Sequence, residues 1–224
     1  MGNVIGQLLP LGIGIAISPI PIIATILMLL APNAKGTSVG FLIGWVGGIV
    51  VATTIFVVIA ATAGLDDSSD GPSTTSCWIK IVVGALLLLL AVRQWRSRPK
   101  PGETAALPKW MSAIDSFTFV KATGLGFALS AVNPKNLLMA IAAGSAIGGA
   151  AITTGQMVVA VVVFTAIGAC TVAVPVIGYL VAADRLRTPL EELRVWLEAN
   201  NGAVMSVLLL VIGVVLIGKG IGGL

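Results

Sequence analysis

The sequence has no histidine, and charged residues fill only 10% of its 224 positions. Without imidazole, the usual proton relay and the commonest metal ligand are both missing. The two cysteines, Cys77 and Cys170, lie far apart and form no C-x-x-C pair, so neither a metal site nor a redox dithiol is indicated. No nucleotide-binding loop, nucleophile triad or metal-ligand cluster occurs, so catalysis is not expected and no cofactor is called for. Residues Met1 to Gly6 carry no basic n-region, so no ordinary signal peptide is expected, and Gly6 stands where a myristoylation motif wants Ser or Thr. Acidic residues are missing from the apolar stretches: all nine, from Asp66 to Glu198, fall in predicted loops.

What remains is apolar. The chain is 57% hydrophobic with a mean hydropathy of +1.07, a balance that ordinary soluble domains do not have. The pattern predicts an all-α, multi-pass membrane protein with six spans at about 3–30, 37–63, 77–95, 119–147, 153–181 and 201–223. The first, fourth and fifth exceed the roughly 20 residues a crossing needs, which fits tilt or a break. Loop charge alternates. Lys35, the group Arg93, Arg96, Arg98, Lys100 and Lys109, and the group Arg185, Arg187 and Arg194 mark one side, whereas Asp66, Asp67 and Asp70 mark the other. Basic loops face the cytoplasm, which predicts both termini outside and opposite directions for spans one and four.

Two stretches stand out. Gly12-Ile13-Gly14-Ile15-Ala16-Ile17-Ser18 reads G-x-G-x-A-x-S, and Gly124 to Ser130 repeats that pattern. A proline break follows each copy: Pro19-Ile20-Pro21 in the first, Asn133-Pro134-Lys135-Asn136 in the second. Proline removes a backbone donor and frees the carbonyl four residues earlier. Irregular backbone at membrane depth is tolerated only where protein buries it or a cavity is lined. Interrupted segments at corresponding positions of two halves point to a transporter site between inverted three-span repeats. The expected organisation is 1–95 as the first repeat, 96–118 as a basic cytoplasmic loop and 119–224 as the second repeat.

Lys135 is the deep cation of the chain, and a lysine near the bilayer centre costs roughly 2.5–3.5 kcal/mol on insertion scales. With no carboxylate in any span, its options are freed carbonyls at the breaks, a water-filled cavity, or the anionic group of a ligand. It either touches substrate or holds the broken helices together. The candidate substrate-binding set is Ser18, Pro19, Pro21, Ser130, Asn133, Pro134, Lys135 and Asn136. Helix starts at the two breaks would add N–H groups that attract a carboxylate, phosphate or sulfate.

Three further features carry structural expectations. Gly40, Gly44 and Gly48 in span two, and Gly144 and Gly148 in span four, are expected to bring helices close inside the bundle rather than to form a dimer seam. Thr188-Pro189-Leu190-Glu191 reads as a capped start of a short interfacial helix or lid, with a Leu190, Leu193 and Leu197 stripe. In the basic loop, Trp110, Ile114 and Phe117 recur at near-helical spacing, and the basic charge there is a topological signal or an anionic-lipid contact.

With its six spans, Ser18-Pro19-Ile20-Pro21 in the first and Asn133-Pro134-Lys135 in the fourth, the sequence resembles the LysE superfamily of small bacterial exporters. Ile20 replaces the glycine of the Pro-Gly-Pro found in the amino-acid exporters. Together with Leu29-Leu30-Ala31-Pro32-Asn33-Ala34 and Gly44-Trp45, this is closer to the lipid-addressing branch, the glycopeptidolipid- and sulfolipid-addressing (GAP/Sap) proteins. The resemblance implies a bacterial plasma-membrane exporter of an anionic lipid or glycolipid. A small-metabolite exporter and a non-transporting scaffold are the alternatives. The related membrane thiol reductases carry cysteines where this chain has Ser18 and Asn133, so thiol–disulfide transfer is not expected. Expected partners are membrane lipids and an anionic lipid or small-molecule substrate, with a second copy or an envelope lipid-export complex as candidate protein partners, and no nucleic acid.

Because Lys135 is the one group placed to titrate at depth, it should be the coupling residue if transport is proton-driven. Lys135→Arg keeps the charge but does not readily release a proton. In a pH-jump transport assay this variant should lose proton-dependent flux. Survival of that flux would mean that an acid lies within the membrane.

Overall fold

The computed structural model describes residues 1–63, 73–98 and 109–224; Asp66, Asp67, Asp70 and the Pro99 to Gly102 start of the basic loop lie outside the described residues. Apart from short connections, the described chain is helical. The helices are α1 (Gly2–Ala16), α2 (Pro19–Leu30), α3 (Ala34–Thr62), α4 (Thr74–Arg96), a 3₁₀ helix (Lys109–Ser116), α5 (Phe119–Ala131) and α6 (Pro134–Gly148). A final helical run, Thr154–Ile221, is broken at Ala182 (φ −144°, ψ 55°) into α7 (Thr154–Ala183) and α8 (Arg185–Ile221).

Four helices, α3, α4, α7 and α8, are long and apolar enough to cross a membrane, and six crossings result when each bent pair counts as one. The bent pairs are α1 with α2, at 53°, and α5 with α6, at 61°. Both bends fall at the predicted prolines. Pro19 and Pro134 each open the second helix of a pair, where a missing N–H costs nothing inside the helix. Pro10 and Pro175, by contrast, are carried within α1 and α7.

The expected short helix beginning at Thr188 is corrected. The break comes earlier, at Ala182, and helix runs through Pro189 without interruption into the last crossing. Pro189 sits within the first turns of α8, where few intrahelical bonds are lost. At about 1.5 Å per residue, the 37 residues of α8 reach well beyond a hydrocarbon core of about 30 Å. Its first turns therefore project past the apolar region. There Leu190 and Leu197 are buried while Leu193 is exposed, so the predicted three-leucine stripe is only partly inward. Glu191 and Glu198 flank Arg194 at 3.0 and 3.3 Å. In the 3₁₀ helix, Met111 and Ile114 are buried, and the element packs on α2.

Small residues set the spacing of the bundle. A Cβ on Gly40, Gly44 or Gly48 would run into Phe119, Thr123 or Ser130 of α5, and one on Gly126 would strike the Phe41 carbonyl of α3. Gly144 and Gly148 bring α6 onto Phe56 and Val57 in the same way. Both glycine series thus serve packing inside the chain. Gly84 on α4 and Gly213 on α8 face one another. Trp45, fully buried and stacked on Phe41, donates from Nε1 to the Gly168 carbonyl of α7 at 3.2 Å. Lys35, Phe119 and Arg187 share a cavity of about 900 Å³ at the basic end of the bundle, and Gln7, Lys80 and Lys219 line a small one at the other.

Gly44→Ala and Gly47→Ala separate packing from helix propensity, because a Cβ on Gly47 meets nothing within 4 Å. Gly47→Ala should be neutral or stabilising by up to about 1 kcal/mol. Gly44→Ala should cost roughly 1–3 kcal/mol as α3 and α5 are forced apart. Thermal unfolding in detergent measures both.

Candidate functional site: a cavity where two broken helices meet

The breaks leave backbone carbonyls without helical partners, and the sequence supplies a donor for several of them. At the first break, Ser18 N turns back to Ala16, so Gly14 loses its helical donor, and Pro19 has no N–H to offer Ile15. The Ser18 hydroxyl donates to the Ile15 carbonyl at 2.6 Å, and Thr171 Oγ1 of α7 donates to that of Ala16 at 2.6 Å. The Gly14 carbonyl accepts from Lys135 Nζ at 2.6 Å. The same ammonium donates to Ser18 Oγ. Lys135, second residue of α6, therefore bridges from one broken helix to the other.

The second break is closed from within. Asn133 Oδ1 accepts from the Lys135 backbone N–H at 3.1 Å, capping α6. Asn136 Nδ2 donates to the Leu129 carbonyl at 3.0 Å. The two helix starts offer fewer free N–H groups than expected. Pro19 and Pro21 remove two from α2, and the Asn133 cap uses one at α6. Positive charge at the site rests chiefly on side chains.

Six of the eight predicted residues, Ser18, Pro19, Pro21, Asn133, Pro134 and Lys135, line one cavity of about 380 Å³. Two do not. The Ser130 hydroxyl donates to the Gly126 carbonyl of its own helix and lies where a Cβ on Gly48 would go, so it is part of the α3–α5 seam. Asn136 is spent on the break, although its Oδ1 has no partner among the described residues.

The structure adds residues from the third and sixth spans and the loop after the third, to which sequence reading had given no part in the site. Arg93, Gln94 and Ser97 of α4, and Asn201, Met205 and Leu209 of α8, complete the wall. The spacing of 201, 205 and 209 marks one face of a helix, a signal legible in sequence only once α8 is known to continue through Asn200. Arg93 and Ser97 are exposed, so the cavity reaches the surface at the basic end. Lys135, 5% exposed, lies at its inner end. Among the described residues that line it, none is acidic. Lysine carries three donors and two are used inside the protein, so a third is left for an anion. Among the described residues, no group of His, Cys, Asp and Glu is arranged to hold a metal ion. Cys77 is buried, Cys170 is exposed, and both are free and outside the cavity lining.

These features define a multi-pass helical membrane protein with a cation-lined cavity at the meeting point of two broken helices. The chain matches the family described as Sap, sulfolipid-1-addressing protein, over residues 8–222, and it belongs to that family. The expected lipid-addressing branch is thereby established. No curated protein and no solved structure matches the chain.

Cysteine labelling checks this geometry. In a background without Cys77 and Cys170, Ser97→Cys and Asn201→Cys should react with a water-soluble maleimide added at the basic end. Ser130→Cys, packed against Gly48, should remain unlabelled under the same conditions.

Proposed function

We propose that the chain exports an anionic amphiphile, a lipid or glycolipid bearing sulfate, phosphate or carboxylate, by alternating access around its two broken helices. The observation that carries this reading is the cavity itself: buried Lys135 at its inner end, Arg93 at its mouth and no acid among the described residues of its wall. A buried ammonium that meets a carbonyl and a hydroxyl, but no carboxylate among the described residues, leaves a local positive charge that an anionic headgroup can neutralise. The family's sulfolipid-1-addressing description supports a lipid as the moving species.

The two halves are read as inverted repeats. The proline bends correspond, and the close approach of α3 to α5 is matched by that of α7 to α1, where Gly12 meets Phe164 and Ile167 and Gly168 meets Ile15. The basic end is assigned to the cytoplasm of a bacterial plasma membrane, with both termini outside. On that orientation the cavity is open inward, ready to load. A second copy or an envelope lipid-export complex would act around this unit. A small-metabolite exporter of the same fold would want a cavity closed to lipid, and the apolar groove beside this one argues against it.

Flux of a labelled anionic lipid across proteoliposomes is the test. Losing a hydrogen bond to a charged group costs about 1.5–3 kcal/mol, so Lys135→Ala should slow transport roughly tenfold to a hundredfold while the protein stays folded. Wild-type flux in Lys135→Ala for every anionic lipid tried would remove Lys135 from the mechanism. Loss of envelope lipid export on altering 96–118, with no effect of Lys135 or Asn133 variants, would favour the scaffold.

A further inference from the structure

Beside the cavity, on the lipid-facing side, α1 and α8 form a second hollow of about 630 Å³. Ile13 of α1 and Ile17, the residue that caps its C-terminus, make one wall. Val204, Val207 and Val211 make the other, at the three- and four-residue steps of one helical stripe. Its nine lining residues are all apolar. From Ala203 to Ile212 the wall rises about 13 Å, which is close to half of a hydrocarbon core of about 30 Å. The groove is therefore about as long as one leaflet is deep.

Groove and cavity have no lining residue in common, but they are lined by neighbouring residues of the same two segments. Ile17 lines the groove and the next residue, Ser18, lines the cavity. On α8, Asn201, Met205 and Leu209 face the cavity, while Val204 and Leu208 belong to the adjacent stripe and face the groove. At the first helix break, consecutive residues thus line a polar, cationic hollow and an apolar one. We propose that together they form one bipartite site, in which the anionic headgroup occupies the cavity at Lys135 and Arg93 and an acyl chain of the same molecule lies between α1 and α8.

The charge of the cavity selects the head, and the apolar groove lined by the neighbouring residues selects the tail. The headgroup passes along protein while the chain stays in contact with hydrocarbon, so the apolar surface is not brought into water. A substrate therefore needs both a negative head and a long chain. This rests on the export reading above, and the experiment separates the two.

The probes are phosphatidic acid and phosphatidylcholine with the same diazirine-bearing acyl chain, in vesicles of unlabelled phosphatidylcholine containing the full-length protein. The phosphatidic acid probe should crosslink to α1 and α8 at the groove, and Lys135→Ala should lower that labelling about tenfold by releasing the head. The phosphatidylcholine probe should label the groove weakly and without regard to Lys135. Equal labelling by both probes, unchanged in Lys135→Ala, means annular lipid only and overturns the proposal. Val207→Trp, which fills the groove, should lower phosphatidic acid flux about tenfold, whereas Val214→Trp, on the lipid face of α8 outside it, should not. Flux unaffected by Val207→Trp but abolished by Lys135→Ala overturns the groove and leaves export standing. Lys135-dependent groove labelling with no flux in wild type upholds the site and overturns export.

Discussion

Backbone polar groups cannot be left unpaired in hydrocarbon, and the structure depends on how the two broken helices meet that constraint. Each break frees carbonyls in the middle of an apolar bundle. The bond from Lys135 Nζ to the Gly14 carbonyl satisfies one of them with a charge carried on the other broken helix. It does two things at once. It ties the two breaks to each other, and it fixes an ammonium at the inner end of a cavity. An apolar residue at 135 would leave the Gly14 carbonyl unpaired, and a lysine without that carbonyl would be a bare charge at depth.

The remaining architecture holds those two breaks in register. Glycines let α3 lie so close to α5 and α6 that backbone meets backbone, which fixes the second broken pair from one side. Thr171 and Trp45, through the Ala16 and Gly168 carbonyls, fix α1 and α3 to α7. Among the described residues, no comparable polar tie is seen on the face that α4 and α8 present to the cavity. The cavity lies there, bounded by side chains that point across space rather than into a seam.

Polar and apolar hollows side by side also explain why the site is built from a broken helix and not an intact one. The turn at Ile17 and Ser18 sends consecutive side chains to two different environments, one facing lipid and one facing the ammonium. A regular helix spreads such neighbours over about a hundred degrees of one continuous surface, without a change of axis between them. The 53° bend supplies that change.

The sequence by itself determined the helical membrane class, the approximate crossings, the location of both breaks and the singular position of Lys135. These are local properties: apolar run length, proline's missing donor and the absence of acid from the spans are all written in consecutive residues. It also carried the packing role of Gly40, Gly44 and Gly48. Only the tertiary structure decided which polar residues share a cavity. Ser130 and Asn136 look equivalent to Ser18 and Asn133 in sequence, yet they face α3 and a freed carbonyl, because the rotation of α5 and α6 about their axes is fixed by close glycine contacts. Arg93 and Asn201 read as span-end residues until α4 and α8 are laid beside the breaks. The false start at Thr188 has a like cause: its capping pattern is a valid local signal, and the continuity of α8 overrode it. Side-chain direction depends on helix rotation and neighbour, and neither is a property of a single stretch of chain.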